Sequence, residues 1–236
     1  MKGYCVLERR LCLAVHDYRW LLDHGYPQTL SLEIVTRRYM LSRRERLLLY
    51  RCVHDGHFSS EVMQKHVPAN YITGGGIAID GYNALLTIIT AISGDQVLLC
   101  DDGFVRDLRG SKVRRGEEGV LRRAAREMGM YIRSLSPREV VVVLDAAVSH
   151  SAVHAHMIAD EIGRLCRGRV VVRPVLARRV DSVLGELASS YVIASSDAVV
   201  LSRARLVFDI AGRVVTGFIK GVRLLSILPC LYASVE

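Results

Sequence analysis

From Ile77 onward the chain alternates short apolar runs with longer amphipathic stretches, and this alternation restricts the possible folds more than any other feature. The runs Ile77–Ile79, Val97–Cys100, Val140–Leu144, Val170–Val172 and Tyr191–Ala194 are rich in β-formers and do not alternate with polar residues. Strands of this kind are covered on both faces, as in parallel sheets. Between them lie stretches with helical periodicity: Ala84–Ile92, Glu117–Arg133, Ala152–Cys166 and Asp181–Ser189. The order predicts a doubly wound α/β domain with a mostly parallel sheet. After Leu201, Arg205–Ile210 and Arg213–Phe218 flank Ala211-Gly212 and predict a terminal hairpin.

The first quarter of the chain is different. Leu7, Leu11, Val15, Tyr18 and Leu22 recur at helical spacing until Gly25-Tyr26-Pro27 stops the helix. A second helix is expected over Thr29–Tyr39. A third follows Ser42-Arg43-Arg44-Glu45, which has the spacing of a capping box. Residues 1–56 therefore read as a small all-helical domain, 57–76 as a linker or one short helix ending in a hinge at Gly74-Gly75-Gly76, and 77–236 as the α/β domain.

Half of the 236 residues are hydrophobic and 24% are charged, which describes a globular protein with a real core. The longest apolar stretch, Ile77 to Cys100, is broken by Asp80, Asn83 and Gly94-Asp95, so it is not a membrane span. The N-terminus lacks a signal-peptide apolar core, and a cytoplasmic protein is expected. The six cysteines are scattered without a C-x-x-C pair, so reduced core thiols are expected and no zinc site.

Functional groups in an open parallel sheet collect at the carboxyl ends of the strands. Reading those ends gives Asp80, then Asp101 and Asp102, then Asp145, then Ser195-Ser196-Asp197. One strand-end aspartate is commonly a helix cap or turn residue. Four such ends in one sheet are another matter, because crowded carboxylates repel unless protons or a cation neutralise them. The run Ile77-Ala78-Ile79-Asp80-Gly81-Tyr82-Asn83 adds a glycine for the strand-to-loop turn and an amide that can reach back. Among the histidines, His150 and His154 have helical spacing for a metal pair, with His156 nearby, but ordinary surface or capping roles are expected of them.

Two resemblances sharpen this reading. Gly25-Tyr26-Pro27, Arg38-Tyr39-x-Leu41 and Arg43-x-Glu45-Arg46-x-Leu48-x-Tyr50-Arg51 resemble the N-terminal domain of an uncharacterised archaeal family, domain of unknown function 434. Asp101-Asp102-Gly103-Phe104-x-Arg106-Asp107 resembles the domain usually attached to it. The Asp80-Gly81-Tyr82-Asn83 motif, with Arg179-Val180-Asp181-Ser182-x-Leu184 and the strand end Ser195-Ser196-Asp197, is similar to PIN-like and NYN-type nucleases. That second resemblance implies a PIN-like fold and an acidic cluster of Asp80, Asp145, Asp181 and Asp197 holding Mg²⁺ or Mn²⁺. Asn83 and Ser196 become its polar supports. For the glutamate of the PIN pattern, Glu117, Glu118 and Asp145 are the candidates. Asp101-Asp102 is either a second ligand pair or a turn.

The activity implied is metal-dependent hydrolysis of phosphodiester bonds, with RNA as the partner. The net charge of +8 agrees with a polyanionic partner. Between Arg106 and Arg126 there are eight basic residues against three acidic, and Arg106, Arg109, Lys112, Arg114, Arg115, Arg122 and Arg123 are the expected nucleic-acid contacts. The alternative is a catalytically weak or inactive RNA-binding protein that retains the fold. A third reading is a Toprim-like or nucleotide-handling domain using Asp101-Asp102. Homo-oligomerisation is left open.

Overall fold

A computed structural model describes residues 7–110, 113, 114 and 116–232. In chain order it contains helices α1 (Arg9–Asp23), α2 (Gln28–Arg38), α3 (Arg43–Cys52) and α4 (Gly56–Lys65), then strand β1 (Gly76–Asp80) and helix α5 (Gly81–Ile92). There follow β2 (Gln96–Leu99), β3 (Val105–Asp107), α6 (Glu118–Leu135), β4 (Glu139–Asp145), α7 (Ser151–Leu165), β5 (Val171–Ala177), α8 (Val180–Leu187) and β6 (Val192–Ala194). The chain closes with α9 (Ala198–Arg203), α10 (Ile210–Phe218), β7 (Arg223–Ser226) and α11 (Leu228–Tyr232).

These elements form two compact units that do not follow the linear order of the chain: one is Met1–Gln64 with Gly94–Leu108 and Gly221–Glu236, the other Lys65–Ser93 with Arg109–Lys220. The sequence reading divides the chain linearly instead, into 1–56, 57–76 and 77–236. A linear reading cannot see the later segments that return to the first unit.

In the first unit, α1 buries Leu11, Ala14, Val15 and Tyr18 along one stripe. The expected capping box holds α3, with Ser42 Oγ accepting from Glu45 N and the Glu45 carboxylate accepting from Ser42 N at 2.7 Å. The stretch read as a possible linker contains α4 and a short 3₁₀ turn at Ala69–Ile72. The run Val97–Cys100 is a strand, as expected, but it belongs to a separate three-stranded sheet in the order β3-β2-β7. Leu98 and Cys100 of this segment pack into the same core as Tyr18, Leu49, Leu225 and Ile227. The expectation of reduced thiols is corrected here. Cys12 is bonded to Cys230 and Cys52 to Cys100, across 218 and 48 residues of sequence. Pairs so far apart leave no spacing signature. Cys166 remains a buried free thiol.

The second unit is the doubly wound domain. Its four strands are all parallel, in the order β5-β4-β1-β6. Ile77, Ala78 and Ile79 are fully buried, as is nearly all of Val140–Leu144, which is why these runs lack alternation. The chain passes from β1 to β4 to β5 on one side of β1, and then crosses to lay β6 on the other. The order therefore reverses between β1 and β6, the position where open α/β sheets form a crevice at their carboxyl ends. Register brings the relevant ends level: Ile79 pairs with Ala194, so Asp80 and Ser195 emerge side by side. Asp80 pairs with Val143, so Asp145 emerges two residues farther along β4.

Two expectations fail in this unit. The predicted terminal hairpin is replaced by α10, because the Asp209 side chain accepts from Gly212 N at 2.8 Å and caps a helix there. Gly81 is not a turn glycine. It opens α5, and a Cβ at that position would lie 2.5 Å from Leu144 Cδ2 and 3.0 Å from Val142 Cγ1. It is glycine because helix and strand meet too closely for a side chain.

Candidate active site

Asp80 ends β1 and caps α5, with Oδ1 accepting weakly from Asn83 N at 3.4 Å. The Ser195 hydroxyl donates to Asp80 Oδ2 at 2.9 Å and itself accepts from Asp197 N at 3.1 Å. Asn83 Oδ1 accepts both Ser196 N and Ser196 Oγ, each at 2.9 Å. These bonds lock the end of β6 to the first turn of α5. Asp197 caps α9 through Oδ1, which accepts from Val199 N and Val200 N at 2.9 and 3.1 Å. On the neighbouring strand Asp145 Oδ1 accepts from Ala147 N at 2.8 Å. Asp145 and Asp197 are thus oriented through Oδ1 by local backbone, while both oxygens of Asp80 accept a bond.

A cleft of about 360 Å³ is lined by Asp80, Asp145, Asp181 and Asp197, together with Arg178, Arg179 and Val180. Burial pushes the Asp80 carboxyl up to about 6. The bonds from Ser195 and Asn83 counter that rise, while the charges of Asp197 and Asp145 add to it. Asp181 enters the cleft from the first turn of α8, where Arg179 and Arg203 stand 3.8 and 3.7 Å from its carboxylate. It is therefore already partly neutralised, unlike the other three.

All four predicted aspartates line one cleft, and Asn83 and Ser196 brace it. Sequence reasoning missed Ser195, which makes the only described side-chain bond to Asp80, and missed Arg178 and Arg179. The signal for the arginines was present, since the doublet stands just ahead of Val180-Asp181.

Other predicted groups lie elsewhere. Asp101 and Asp102 follow β2 in the first unit and share no sheet with Asp80. Among the described residues, His54, Asp101 and Asp102 bring three potential ligand atoms within 4.8 Å of one another. Their charges are answered by protein, however. Arg106 donates to Asp102 at 2.7 and 2.5 Å, Arg19 to Asp101 at 2.9 Å, and Asp101 meets His54 Nδ1 at 2.7 Å. Burial raises the Asp102 carboxyl, but the Arg106 guanidinium more than offsets this and holds it below the usual carboxylate range.

The expected basic strip is also corrected. Arg106 and Arg109 are buried in ion pairs with Asp102 and Glu117, and neither can reach a polyanion. The same pair removes Glu117 as a ligand candidate. Glu118 opens α6 on the exposed surface. Arg114, Arg122 and Arg123 are exposed, with Arg122 paired to Glu161 at 3.0 Å. Lys112 and Arg115 lie outside the described residues. The histidines form no metal pair among the described residues, since His154 bonds the Tyr82 hydroxyl at 2.9 Å and His156 the Ala152 carbonyl at 2.9 Å. No helix among the described residues is long and apolar enough to cross a membrane.

Two families match the chain. One, described as a domain of unknown function (DUF5616), matches residues 69–213, and the other, described as a protein of unknown function (DUF434), matches residues 10–65. The first covers more than half of the chain, and the chain belongs to that family. The second bears out the resemblance read in the N-terminal helices. Among curated proteins the chain is similar to an uncharacterized protein, MJ0935, of Methanocaldococcus jannaschii: 27% identical over 191 residues, covering 80% of this chain and 87% of that protein. No solved structure matches it.

Proposed function

We propose that this member of the DUF5616 family is a divalent-metal-dependent nuclease of PIN-like or NYN type, hydrolysing phosphodiester bonds in RNA. One observation carries the reading: Asp80 lies where the strand order reverses, with its carboxyl raised to about 6 and with Asp145 and Asp197 on the same cleft. Three carboxylates with few cationic partners there fit an oxygen-preferring Mg²⁺ or Mn²⁺, and Asp80, Asp145 and Asp197 would hold it. Such an ion would neutralise charge at the phosphate and make a bound water a better proton donor than bulk water. The chain's own groups do the rest. Ser195 and the Asn83 amide fix the direction of the Asp80 oxygens. Ser196 and Asn83 keep β6 and α5 from separating. Arg178 and Arg179 offer exposed guanidiniums at the cleft for a phosphate oxygen.

The test is Mn²⁺-dependent cleavage of single-stranded and structured RNA by the wild type and Asp197→Asn. Asparagine is as good a helix cap as aspartate, so α9 survives the change. Loss of about 100-fold or more in rate is expected, on the order of removing one electrostatic contributor to a transition state. Unchanged activity in the variant contradicts the site.

A second reading, an RNA-binding protein with little or no catalysis, is favoured by the contacts of Asp181 with Arg179 and Arg203. It predicts RNA affinity that survives Asp80→Asn and needs no divalent ion.

A further inference from the structure

A second cleft lies at the other end of the parallel sheet. It encloses about 450 Å³ between the loop that joins α6 to β4 and the loop that joins α7 to β5. Arg133, Arg167 and Arg169 line it with Ser136 and Pro137, and no carboxylate does. Arg167 (φ 52°) and Gly168 (φ 69°) both take the left-handed conformation, and Arg167 and Arg169, on either side of that glycine, line the same rim. All three arginines are exposed, and no carboxylate among the described residues pairs with them.

The ordinary role of arginine at this end of a helix is to answer the carbonyl dipole. Arg133 is in the last turn of α6, and Arg167 follows the end of α7. Two helix ends present roughly half a negative charge each, about one in total. Three guanidiniums exceed that by about two charges, so helix capping leaves most of the positive field unanswered.

We propose that this cleft is a phosphate-binding anchor for the backbone of the same RNA. The RNA identity rests on the nuclease reading of the acidic cleft; the phosphate chemistry rests on the arginines. The cleft contains no aromatic side chain on which a base could stack, so contact is with phosphates and indifferent to sequence. Guanidiniums grip phosphate oxygens with paired N–H donors. The two clefts lie at opposite ends of β4, whose seven residues span about 20 Å. A chain held at the arginines must continue along the domain to reach Asp80 and Asp145, so only substrates longer than a few nucleotides use both.

The test measures binding of a long single-stranded RNA and of a dinucleotide in chelator, where cleavage cannot occur, across a range of salt. The triple variant Arg133→Gln/Arg167→Gln/Arg169→Gln should bind the long RNA roughly 10- to 100-fold more weakly and lower the slope of log affinity against log salt by about 2, near 0.7 per lost contact. The triple lysine variant should keep most of that slope, and dinucleotide binding should not change. Unfolding temperatures check that each variant folds. Unchanged long-RNA affinity, or weaker affinity with an unchanged slope, overturns the anchor. So does inorganic phosphate competing as strongly as the polymer, or a loss confined to binding of anionic vesicles. Because the assay needs no metal, failed cleavage would sink the nuclease reading while leaving this result to be judged separately.

Discussion

The Ser195 hydroxyl donates to Asp80 Oδ2 at 2.9 Å, joining the ends of β6 and β1 where the strand order reverses. The bond favours the ionised carboxylate and works against burial, which has raised that group to about 6. Ser195→Ala should therefore push Asp80 higher still. In a nuclease assay the acid limb of the pH–rate profile moves to higher pH; a limb that stays in place contradicts the role given to Ser195.

The raised Asp80 has a consequence for stability. Its folded value of about 6 exceeds the ordinary 3.8, so the folded state binds the proton more tightly than the unfolded chain does. The stabilisation is complete below about 3.8 and is lost as pH rises through about 6. In the metal-free protein at neutral pH the ionised carboxylate then costs up to about 3 kcal/mol, less whatever solvent in the cleft screens. Asp80→Asn should unfold at higher temperature than the wild type above that range, with the difference closing toward pH 4. Thermal unfolding across pH checks this, and a variant less stable than the wild type at neutral pH would contradict it.

Gly81 faces Leu144 with no room for a Cβ, 2.5 Å being far inside contact distance. Gly81→Ala should cost about 1–3 kcal/mol in denaturant unfolding although alanine is the better helix former. Adding Leu144→Ala should make the two losses less than additive, because the truncated side chain opens the space the new methyl needs. Simple additivity would show that the two residues do not press on one another.

Arg106 is buried against Asp102 with two hydrogen bonds. Arg106→Gln leaves that carboxylate uncompensated and should destabilise the first unit by about 3–5 kcal/mol. RNA affinity, measured where the variant is still folded, should be unchanged. A specific loss of affinity would restore this residue to the nucleic-acid contacts that the sequence assigned it.

Much of the domain was legible because its signals are local. Ile77–Ile79 and Val140–Leu144 announce buried parallel strands, and each ends on the aspartate that the cleft uses. Asp181 was legible from the helix it opens. What failed depended on distant partners. Val97–Cys100 reads like any other buried strand, and nothing within it tells that its neighbours are β3 and β7. The Arg106–Arg126 strip counts as basic in sequence, yet two of its arginines spend their charge on Asp102 and Glu117. The Cys12–Cys230 and Cys52–Cys100 bonds join segments that meet only in the folded unit. The pattern names Ser196 alone as a support, whereas the register of Ile79 with Ala194 sets Ser195 beside Asp80 and leaves Ser196 to Asn83.

The most direct measurement is a Mn²⁺ titration followed by electron paramagnetic resonance, on the wild type and on Asp80→Asn, without RNA. The acidic cleft predicts saturable loss of the free-ion signal for the wild type and a strong weakening of that binding in the variant. The wild type should also gain unfolding temperature with added ion, as any ligand of the native state requires. Equal binding by both proteins, or none by the wild type, would contradict a metal site at Asp80, Asp145 and Asp197.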